Sequence, residues 1–413
     1  MIDPFQKLVL SSFASLKKGT LTLIGPDGEE QKFGGKEAGL NPTIELKNDI
    51  FFRKCVVSGP IGFGESFVDG DWETPDLTEV IAFFILNSDS MAGIKTEGGR
   101  SSIGIGLLNV YNRLLHKRRP NSLEKSRVNI SEHYDLSNDF FRLWLDPSMT
   151  YSCAYFDPPD LSLEQAQKKK YDELCRKLQI AKDDEVLEIG TGWGGFSIHA
   201  AKNYGCRVTT VTISEEQFAE ARVKVEEAGL EDLVRVRLQD YREVTGHFDK
   251  IVSIEMIEAV GDAYIDTFVE ACEKLLKPRG LLGLQMITCP DRQYKFLRDG
   301  VDFIQKHIFP GSLLVSQARM TVAFNRTGWL NLLDWEDMGP YYAKTLRSWA
   351  TAFELMRETV LTLGFDERFL RKWRYYLRYC EAAFGTRHIS VVQAIYTRPN
   401  NLNIESDVYE IGK

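Results

Sequence analysis

The chain has 413 residues, of which 43% are hydrophobic and 27% charged, an ordinary composition for a globular protein. This length exceeds what one hydrophobic core usually organises, so two domains are expected. The net charge of −8 gives no reason to expect nucleic acid as a partner, and no apolar run approaches the roughly 20 residues of a membrane-spanning helix.

The seven cysteines are scattered along the chain without any C-x-x-C spacing. This pattern favours free thiols in a reducing cytoplasm over disulfides, and it predicts neither a structural zinc site nor another metal centre. The N-terminus lacks the basic region and long apolar stretch of a signal peptide. We therefore expect a cytoplasmic protein.

Residues 1–120 predict a small N-terminal α+β domain. Its elements, in chain order, are a strand at Leu21–Ile24, a turn at Gly25–Gly28, short strands and turns over Cys55–Val57 and Gly59–Gly64, and helices at Leu77–Asn87 and Leu107–His116. No residue of this region is typical of a catalytic motif.

The charged stretch Lys117–Arg127, which contains Pro120, is the candidate linker between the domains. It overlaps a basic cluster formed by His116–Arg119, Lys125 and Arg127 in an otherwise acidic protein. Such a cluster can contact anionic lipid headgroups. A solvated linker has the same composition, so the sequence leaves both interpretations open.

Residues 121–413 form the second predicted domain, in which apolar, β-branched strands alternate with amphipathic helices. This alternation is typical of an α/β fold with a doubly wound, Rossmann-like sheet covered by helices on both faces. A cap insertion at about residues 289–345 interrupts it, and such a segment often covers an active site. The predicted strands are 185–190, 207–213, 234–238, 250–255, 280–287 and 389–396, and the predicted helices include 215–228 and 264–277.

The first of these strands ends in a glycine-rich loop. Glu188 precedes Gly190, Gly192 and Gly194, and glycines there let the backbone approach a ligand at the carboxyl edge of the sheet. The spacing differs from the Gly-x-Gly-x-x-Gly pattern of dinucleotide sites, and the acid would repel a pyrophosphate but help to hold a cationic cofactor. S-adenosylmethionine carries a sulfonium and an ammonium group, so the loop predicts a site for it, with a purely structural turn as the alternative.

Further candidate cofactor contacts follow the next two strands. The second strand lacks the terminal acid that usually takes the ribose hydroxyls, so Thr212 and Gln217 are candidates for that role. Gln217 also completes a capping box with Ser214, which leaves its function open. Asp240, beside Tyr241, is placed to accept from an adenine amino group, and a solvated loop carboxylate is the alternative.

Two motifs before the sheet narrow the family. The sequences HYDLSNDFF at His133–Phe141 and MTYSCAYF at Met149–Phe156 resemble those of the cyclopropane-fatty-acid synthases and mycolic-acid cyclopropane synthases. The resemblance covers most of the chain in order. It implies an S-adenosylmethionine-dependent transferase that adds a one-carbon unit to the cis double bond of an unsaturated phospholipid acyl chain, forming a cyclopropane fatty acid. The other matching stretches are 62–72, 186–195, 256–261, 342–346 and 382–384.

The same resemblance implies further cofactor contacts within or beside the matching motifs. These are Tyr134, Tyr151, Ser152 and Glu255.

In this family the base that removes a proton after methyl transfer is thought to be a bound bicarbonate ion. By motif matching, the resemblance implies that backbone groups of Cys153 and Ile287 and the side chains of Glu258 and Tyr342 hold it here. Cys153 would then be a positioning group rather than a nucleophile. Without the flanking motif, a small buried filler would be the better interpretation of this cysteine.

Two positions depart from the family pattern. Gln285 stands where the best-known members have histidine, and Ala259 follows Glu258 where they have a histidine. Glutamine can donate a hydrogen bond to an anion but cannot carry a positive charge, so Gln285 remains a catalytic candidate. A C-methyltransferase that gives methyl- or methylene-branched chains is an alternative function. A small-molecule O- or N-methyltransferase and a lipid-binding protein without catalysis are the others.

An acyl substrate must be reached at a membrane, so we expect peripheral contact at the inner membrane face, and the resemblance adds a homodimer. Docking through the basic linker or through apolar residues of the insertion would provide this membrane contact. Such apolar residues form core more often than membrane contact. They are Phe296, Phe303, Ile304, Ile308 and Phe309.

Overall fold

The computed structural model describes residues 3–90, 137–402 and 404. Tyr134, the first half of the motif at His133–Phe141, the basic cluster, the candidate linker and the predicted helix Leu107–His116 lie outside the described residues.

The N-terminal part contains a four-stranded sheet of order β2-β1-β3-β4 with helices packed against it. The β1–β2 and β3–β4 pairs are antiparallel, whereas β1 and β3 run parallel. The α+β character and the strand predicted at 21–24 are thus confirmed. The elements are α1 (Pro4–Phe13), β1 (Thr20–Ile24), β2 (Glu30–Gly34), β3 (Thr43–Leu46), α2 (Ile50–Val68), β4 (Trp72–Glu73) and α3 (Leu77–Leu86).

The strands and turns predicted over Cys55–Val57 and Gly59–Gly64 are wrong, because this stretch is the kinked helix α2. Gly59 adopts φ 56° and ψ −135°, which breaks the helix at one residue. Pro60 then opens the second half, where a missing N–H and a fixed φ cost nothing. Glycine and proline therefore mark a kink here and not a turn.

The larger sheet has seven strands in the order β10-β11-β9-β8-β5-β6-β7. The five strands from β9 to β7 run parallel, and β11 and β10 extend the sheet antiparallel at one edge. The predicted α/β fold is confirmed. The strands are β5 (Glu185–Ile189), β6 (Arg207–Thr212), β7 (Val234–Leu238), β8 (Phe248–Ile254), β9 (Leu276–Thr288), β10 (Asn331–Asp337) and β11 (Ser390–Thr397).

Eleven described α-helices accompany this sheet, together with 3₁₀ turns at Tyr241–Glu243, Ile257–Ala259 and Asp262–Tyr264. The helices are α4 (Asn138–Arg142), α5 (Leu163–Lys177), α6 (Gly195–Tyr204), α7 (Glu215–Glu227), α8 (Ile265–Leu275), α9 (Asp291–Asp299), α10 (Phe303–His307), α11 (Gln317–Thr327), α12 (Gly339–Leu355), α13 (Arg357–Thr362) and α14 (Glu367–Gly385), of which α4 precedes the sheet domain's first long helix.

The segment 289–345 is more regular than its sequence suggests. It holds three helices, α9 to α11, and then β10, which pairs with β11 and completes the sheet. Of the apolar residues considered for membrane docking, Phe303 and Ile308 are buried, Ile304 and Phe309 are partly buried, and Phe296 is half exposed. The core interpretation therefore holds for most of them. No helix of the described ranges is long and apolar enough to cross a bilayer.

One hydrophobic cluster joins the N-terminal sheet to the C-terminal helices. Trp72 and Phe67 belong to the same buried cluster as Trp349 and Trp373, and the Phe67 and Tyr375 rings lie 5.8 Å apart. Gly64 of α2 lies at this contact. A Cβ atom added there would be 2.6 Å from Phe303 and 2.7 Å from Tyr375, closer than carbon atoms approach.

We predict that Gly64→Ala destabilises the protein by about 1–3 kcal/mol through overpacking, although alanine is the better helix former. Gly385→Ala at the end of α14 is the matched control, because its Cβ would meet only Ala343 at 3.8 Å. Urea unfolding of both variants measures the difference. Equal free energies of unfolding for the two variants would contradict the packing argument.

Candidate active site

The carboxyl ends of the parallel strands open into a cavity of about 370 Å³. Strands β5 and β8 are neighbours in the sheet, although β6 and β7 lie between them in sequence. Their ends therefore form a topological switch point, the place where open α/β sheets bind ligands. The polar edge of the sheet lines one side of the cavity. Apolar residues line the other side, among them Leu297, Ile304, Phe309, Leu313, Leu346, Tyr376 and Phe384.

Most of the site residues predicted from the sequence meet at this cavity. Three do not line it, namely Cys153, Gly194 and Gln285, and Tyr134 is outside the described residues. The lining includes Tyr151, Ser152, Glu188, Gly190, Gly192, Thr212, Gln217, Asp240, Tyr241, Glu255, Glu258, Ile287 and Tyr342.

The glycine loop follows β5 and leads directly into α6. Gly190, Gly192 and Gly194 have φ angles of 100°, 51° and 88°, which L-residues with side chains rarely adopt. The next residue, Gly195, is needed for space, because its Cβ would lie 2.6 Å from the Tyr171 hydroxyl. The loop thus presents bare backbone to the cavity.

Glu188 is buried at the end of β5 and lines the cavity. Its Oε2 accepts hydrogen bonds from Ser197 and from Thr210 at 2.7 Å. Burial raises the pKa of this carboxyl to about 7, against the opposing effect of those hydrogen bonds. A cation in the cavity would favour the ionised form.

The structure distinguishes between the two roles considered for Gln217. Its backbone N–H donates to Ser214, but its side-chain oxygen accepts from the Thr212 hydroxyl at 2.9 Å. The Ser214 N–H donates to Thr212 as well, so the reciprocal half of the capping box is not formed. Thr212 and Gln217 are therefore a bonded pair in the cavity wall.

Asp240 lines the cavity but is already paired. Both of its carboxyl oxygens accept from the Arg242 guanidinium, at 2.8 and 2.7 Å. The guanidinium also lies over the Tyr241 ring, 5.5 Å from its centroid. Asp240 is thus a buried, fixed carboxylate and not a solvated loop acid.

The centre of the site is Glu255, which follows β8. Its Oε1 accepts from the Cys153 backbone N–H at 2.8 Å and from the Gln285 side-chain amide at 2.8 Å. Its Oε2 accepts from the Tyr342 hydroxyl at 2.6 Å. Cys153 and Tyr342, which the resemblance assigns to a bicarbonate ion, and the catalytic candidate Gln285 thus bind a carboxylate of the chain itself. Sequence reasoning had placed Glu255 among the cofactor contacts.

Glu255 adopts φ 50°, the left-handed region that favours glycine. A residue with a Cβ pays about 1–2 kcal/mol for this conformation. Hydrogen bonds to charged groups contribute about 1.5–3 kcal/mol each, so the three donors can offset the strain. Backbone strain of this kind concentrates at functional sites.

Glu258 lies in the 3₁₀ turn that follows and binds the backbone of Ile287, another group that the resemblance assigns to the bicarbonate site. Its Oε1 accepts from the Ile287 backbone N–H, whereas its buried Oε2 has no hydrogen-bond partner. Burial, with the charge of Glu255, raises the pKa of Glu258 to about 8. Its surroundings therefore favour the protonated form of Glu258.

Lys170 of α5 is a buried cation behind the site. Its Nζ donates to the Ser152 hydroxyl at 2.8 Å, and burial lowers its pKa to about 8 against the attraction of nearby acids, Glu255 first. Sequence reasoning missed this residue, because Lys168-Lys169-Lys170 has the composition of a solvated helix face.

Bicarbonate does not fit the site. The Cys153, Gln285 and Tyr342 donors are bound to Glu255, and the Ile287 N–H is bound to Glu258. A second anion would find no donors there and two acids beside it. The Cys153 thiol donates to the Ala154 carbonyl at 3.2 Å and its pKa is raised by burial, so it is not a thiolate nucleophile.

A family model described as mycolic acid cyclopropane synthetase matches residues 121–394. Tuberculostearic acid methyltransferase of Mycobacterium tuberculosis is 38% identical over 84% of this chain and 80% of its own length. Cyclopropane-fatty-acyl-phospholipid synthase of Escherichia coli is 36% identical over 86% and 87%.

Among solved structures, mycolic acid cyclopropane synthase CmaA1 complexed with SAH and CTAB is similar, with a TM-score of 0.62 and 30% identity. The match covers 66% of this chain and 98% of that one.

We predict that Glu258→Gln stabilises the protein more at about pH 8.5 than at about pH 5.5. The raised pKa means that folding favours the protonated acid, so stability falls as pH rises from 4.5 towards 8. The amide removes this loss, which is on the order of 1–3 kcal/mol. Urea unfolding at both pH values measures it. Glu358→Gln is the control, since that side chain is 83% exposed, and an equal effect of the two substitutions would contradict the prediction.

Proposed function

Because this chain belongs to the mycolic acid cyclopropane synthetase family of S-adenosylmethionine-dependent methyltransferases, we propose that it methylates the double bond of an unsaturated phospholipid acyl chain. The observation that carries the proposal is the Glu255 carboxylate, held by three donors at a cavity that is polar on one side and apolar on the other. Methylation of an alkene leaves a carbocation that must lose a proton, so the reaction needs a base beside the bound alkene.

The polar side fits S-adenosylmethionine. The backbone of Gly190 and Gly192 leaves room for a ligand, Glu188 offers a carboxylate to a cation, and the Thr212–Gln217 pair offers polar groups to ribose hydroxyls. When bound, the cofactor supplies an electrophilic methyl group. Tyr151 and Ser152 border the same space and complete the expected set of contacts.

The apolar side fits an acyl chain. An alkene is a weak nucleophile, so it must be held against the methyl group in a site without water. Leu346 and Tyr376 come from two helices that close over the cavity, and Phe309 comes from the segment after α10. The Tyr151 and Tyr376 hydroxyls share a hydrogen bond of 2.8 Å, which keeps their polar ends satisfied.

Glu255 then acts as the base. Methyl transfer forms a C–C bond from the alkene electron pair and leaves a carbocation on the neighbouring carbon. Glu255 removes a proton from the added methyl group, and the freed electron pair forms the final bond. Burial raises the pKa of this carboxyl, and the hydrogen bonds from Tyr342, the Cys153 N–H and Gln285 oppose that rise.

The product depends on when the proton leaves. Loss from the methyl group before any rearrangement closes a cyclopropane ring. A hydride shift from the methylated carbon to its neighbour, followed by the same proton loss, gives a methylene branch. We propose the methylene branch, because Glu255, Gln285 and Ala259 together replace the bicarbonate site that the resemblance to cyclopropane synthases implies. The cyclopropane is the second candidate, favoured by similarity to the Escherichia coli synthase.

Peripheral contact with a membrane belongs to the same proposal, because a phospholipid acyl chain is reached at the surface of a bilayer. A cytoplasmic location and a homodimer are the further expectations that accompany it.

We predict that the purified protein, S-adenosylmethionine and liposomes of monounsaturated phospholipid give lipids heavier by one CH₂ unit. Mass spectrometry detects the gain, and ozonolysis identifies the product. Cleavage at a new terminal C=CH₂ group supports the methylene branch, whereas resistance to ozone shows a cyclopropane. Unchanged lipids, together with formation of S-adenosylhomocysteine when a soluble methyl acceptor is added, would replace the proposal with a small-molecule methyltransferase.

We predict that Glu255→Gln lowers kcat by about 10²–10⁴-fold, the usual loss for a general base, while S-adenosylhomocysteine binding by calorimetry stays unchanged. Glu255→Gly is the sharper variant. It suits the left-handed backbone and frees the Cys153, Gln285 and Tyr342 donors. Added bicarbonate or formate should then restore part of the activity.

The controls distinguish loss of the catalytic base from damage to the fold. Glu255→Gln, whose amide still fills the position, should not respond to added anion, and the unaltered protein should be equally active with and without bicarbonate. Activity of Glu255→Gln close to that of the unaltered protein would remove Glu255 as the base.

A further inference from the structure

A row of side-chain hydrogen bonds leads from Glu255 along one face of the sheet towards its β10 edge. Gln285 on β9 lies directly opposite Gln393 on β11, which in turn lies opposite Glu336 on β10. Gln393 is completely buried, and Gln285 is 1% exposed. Residues opposite one another on paired strands point to the same face, so the register alone aligns these side chains in a row.

The order of donors and acceptors in this row is fixed at both ends. The Lys177 ammonium can only donate, and it donates to the Gln393 Oε1 at 2.9 Å. The Gln393 amide N–H₂ therefore faces the Gln285 Oε1, at 3.1 Å. The Gln285 N–H₂ is then left to donate to Glu255, at 2.8 Å.

Lys177 is itself held in place at the end of α5. Its side chain is 8% exposed and forms an ion pair with Glu336, which also accepts from the Tyr155 hydroxyl at 2.6 Å. Neither glutamine can rotate its amide without placing two donors or two acceptors face to face, which costs about 1–3 kcal/mol for a buried pair.

We propose that Gln393 and Lys177 are positioning residues that hold the Gln285 amide as a hydrogen-bond donor to Glu255. This inference rests on the proposed role of Glu255 as the base. It explains how a glutamine, whose amide can present either its oxygen or its nitrogen, is fixed as a hydrogen-bond donor in this site. Neither residue contacts the cavity.

Other groups also act on Glu255 and stay unchanged in the test. They are the Lys170 ammonium of α5, the Glu258 acid of the following 3₁₀ turn, the Tyr342 hydroxyl of α12 and the Cys153 thiol and N–H of the segment before α5.

The test is Gln393→Glu. The new carboxylate still accepts from Lys177 but has no N–H for Gln285, so the Gln285 amide turns its donors towards it and its oxygen towards Glu255. We expect kcat to fall by about 10–100-fold, the usual loss for a residue that orients an active-site ligand. The acid limb of the pH profile should move to higher pH, because Glu255 loses a donor, while KM changes little. Gln317→Glu on the exposed start of α11 is the matched control.

A double variant separates positioning from a packing defect. In Gln285→His with Gln393→Glu, a protonated imidazole donates one N–H to Glu255 and the other to the new carboxylate. Recovery of kcat and of the pH profile supports the inference, since a merely damaged core would not recover. A Gln393→Glu pH profile equal to that of the unaltered protein, or no recovery in the double variant, would overturn it. Whether Glu255 is the base is a separate question, which the Glu255→Gln variant alone answers.

Discussion

The active site depends on one buried carboxylate that binds three otherwise separate parts of the chain. Glu255 follows β8, and its donors come from the segment before α5, from β9 and from α12. If the carboxylate were absent, three buried donors would be left unsatisfied, each at a cost of about 1–3 kcal/mol. The contacts that hold this carboxylate therefore also join the sheet to the helix that closes the cavity, and site and fold cannot be separated at this point.

Glu255 and Glu258 share one apolar site but differ in their hydrogen bonds. Glu258 has no donor for its second oxygen and a pKa raised to about 8, whereas Glu255 has three donors and the Lys170 ammonium nearby. Two acids in one apolar site cannot both ionise easily. Burial raises the pKa of both carboxyls, and the three donors around Glu255 oppose this rise more than the single donor at Glu258 does.

Much of the sheet was predictable from the sequence, because its strands are short β-branched runs and its glycine loop has a distinct spacing. The kinked helix α2 was not, since Gly59 and Pro60 have the composition of a turn and only the packing of Phe67 and Trp72 against distant helices selects a helix. Most cofactor contacts proposed from the motifs reach the cavity. The central position of Glu255 in the site could not be predicted from the sequence, because it depends on donors 102, 30 and 87 residues away along the chain.

A base that belongs to the chain also differs from a bound anion in how it loses its proton. A bicarbonate ion can leave as its conjugate acid and be replaced, but in the proposed reaction Glu255 would have to be deprotonated in place before the next turnover. Its neighbours offer little help, because burial favours the protonated form of Glu258 and Lys170 donates to Ser152. Glu255 lines the cavity, so the route of the proton to solvent passes through the space that the proposed acyl substrate would fill. The proposed reaction therefore couples product departure to recovery of the base, a constraint that follows from attaching the base to the backbone.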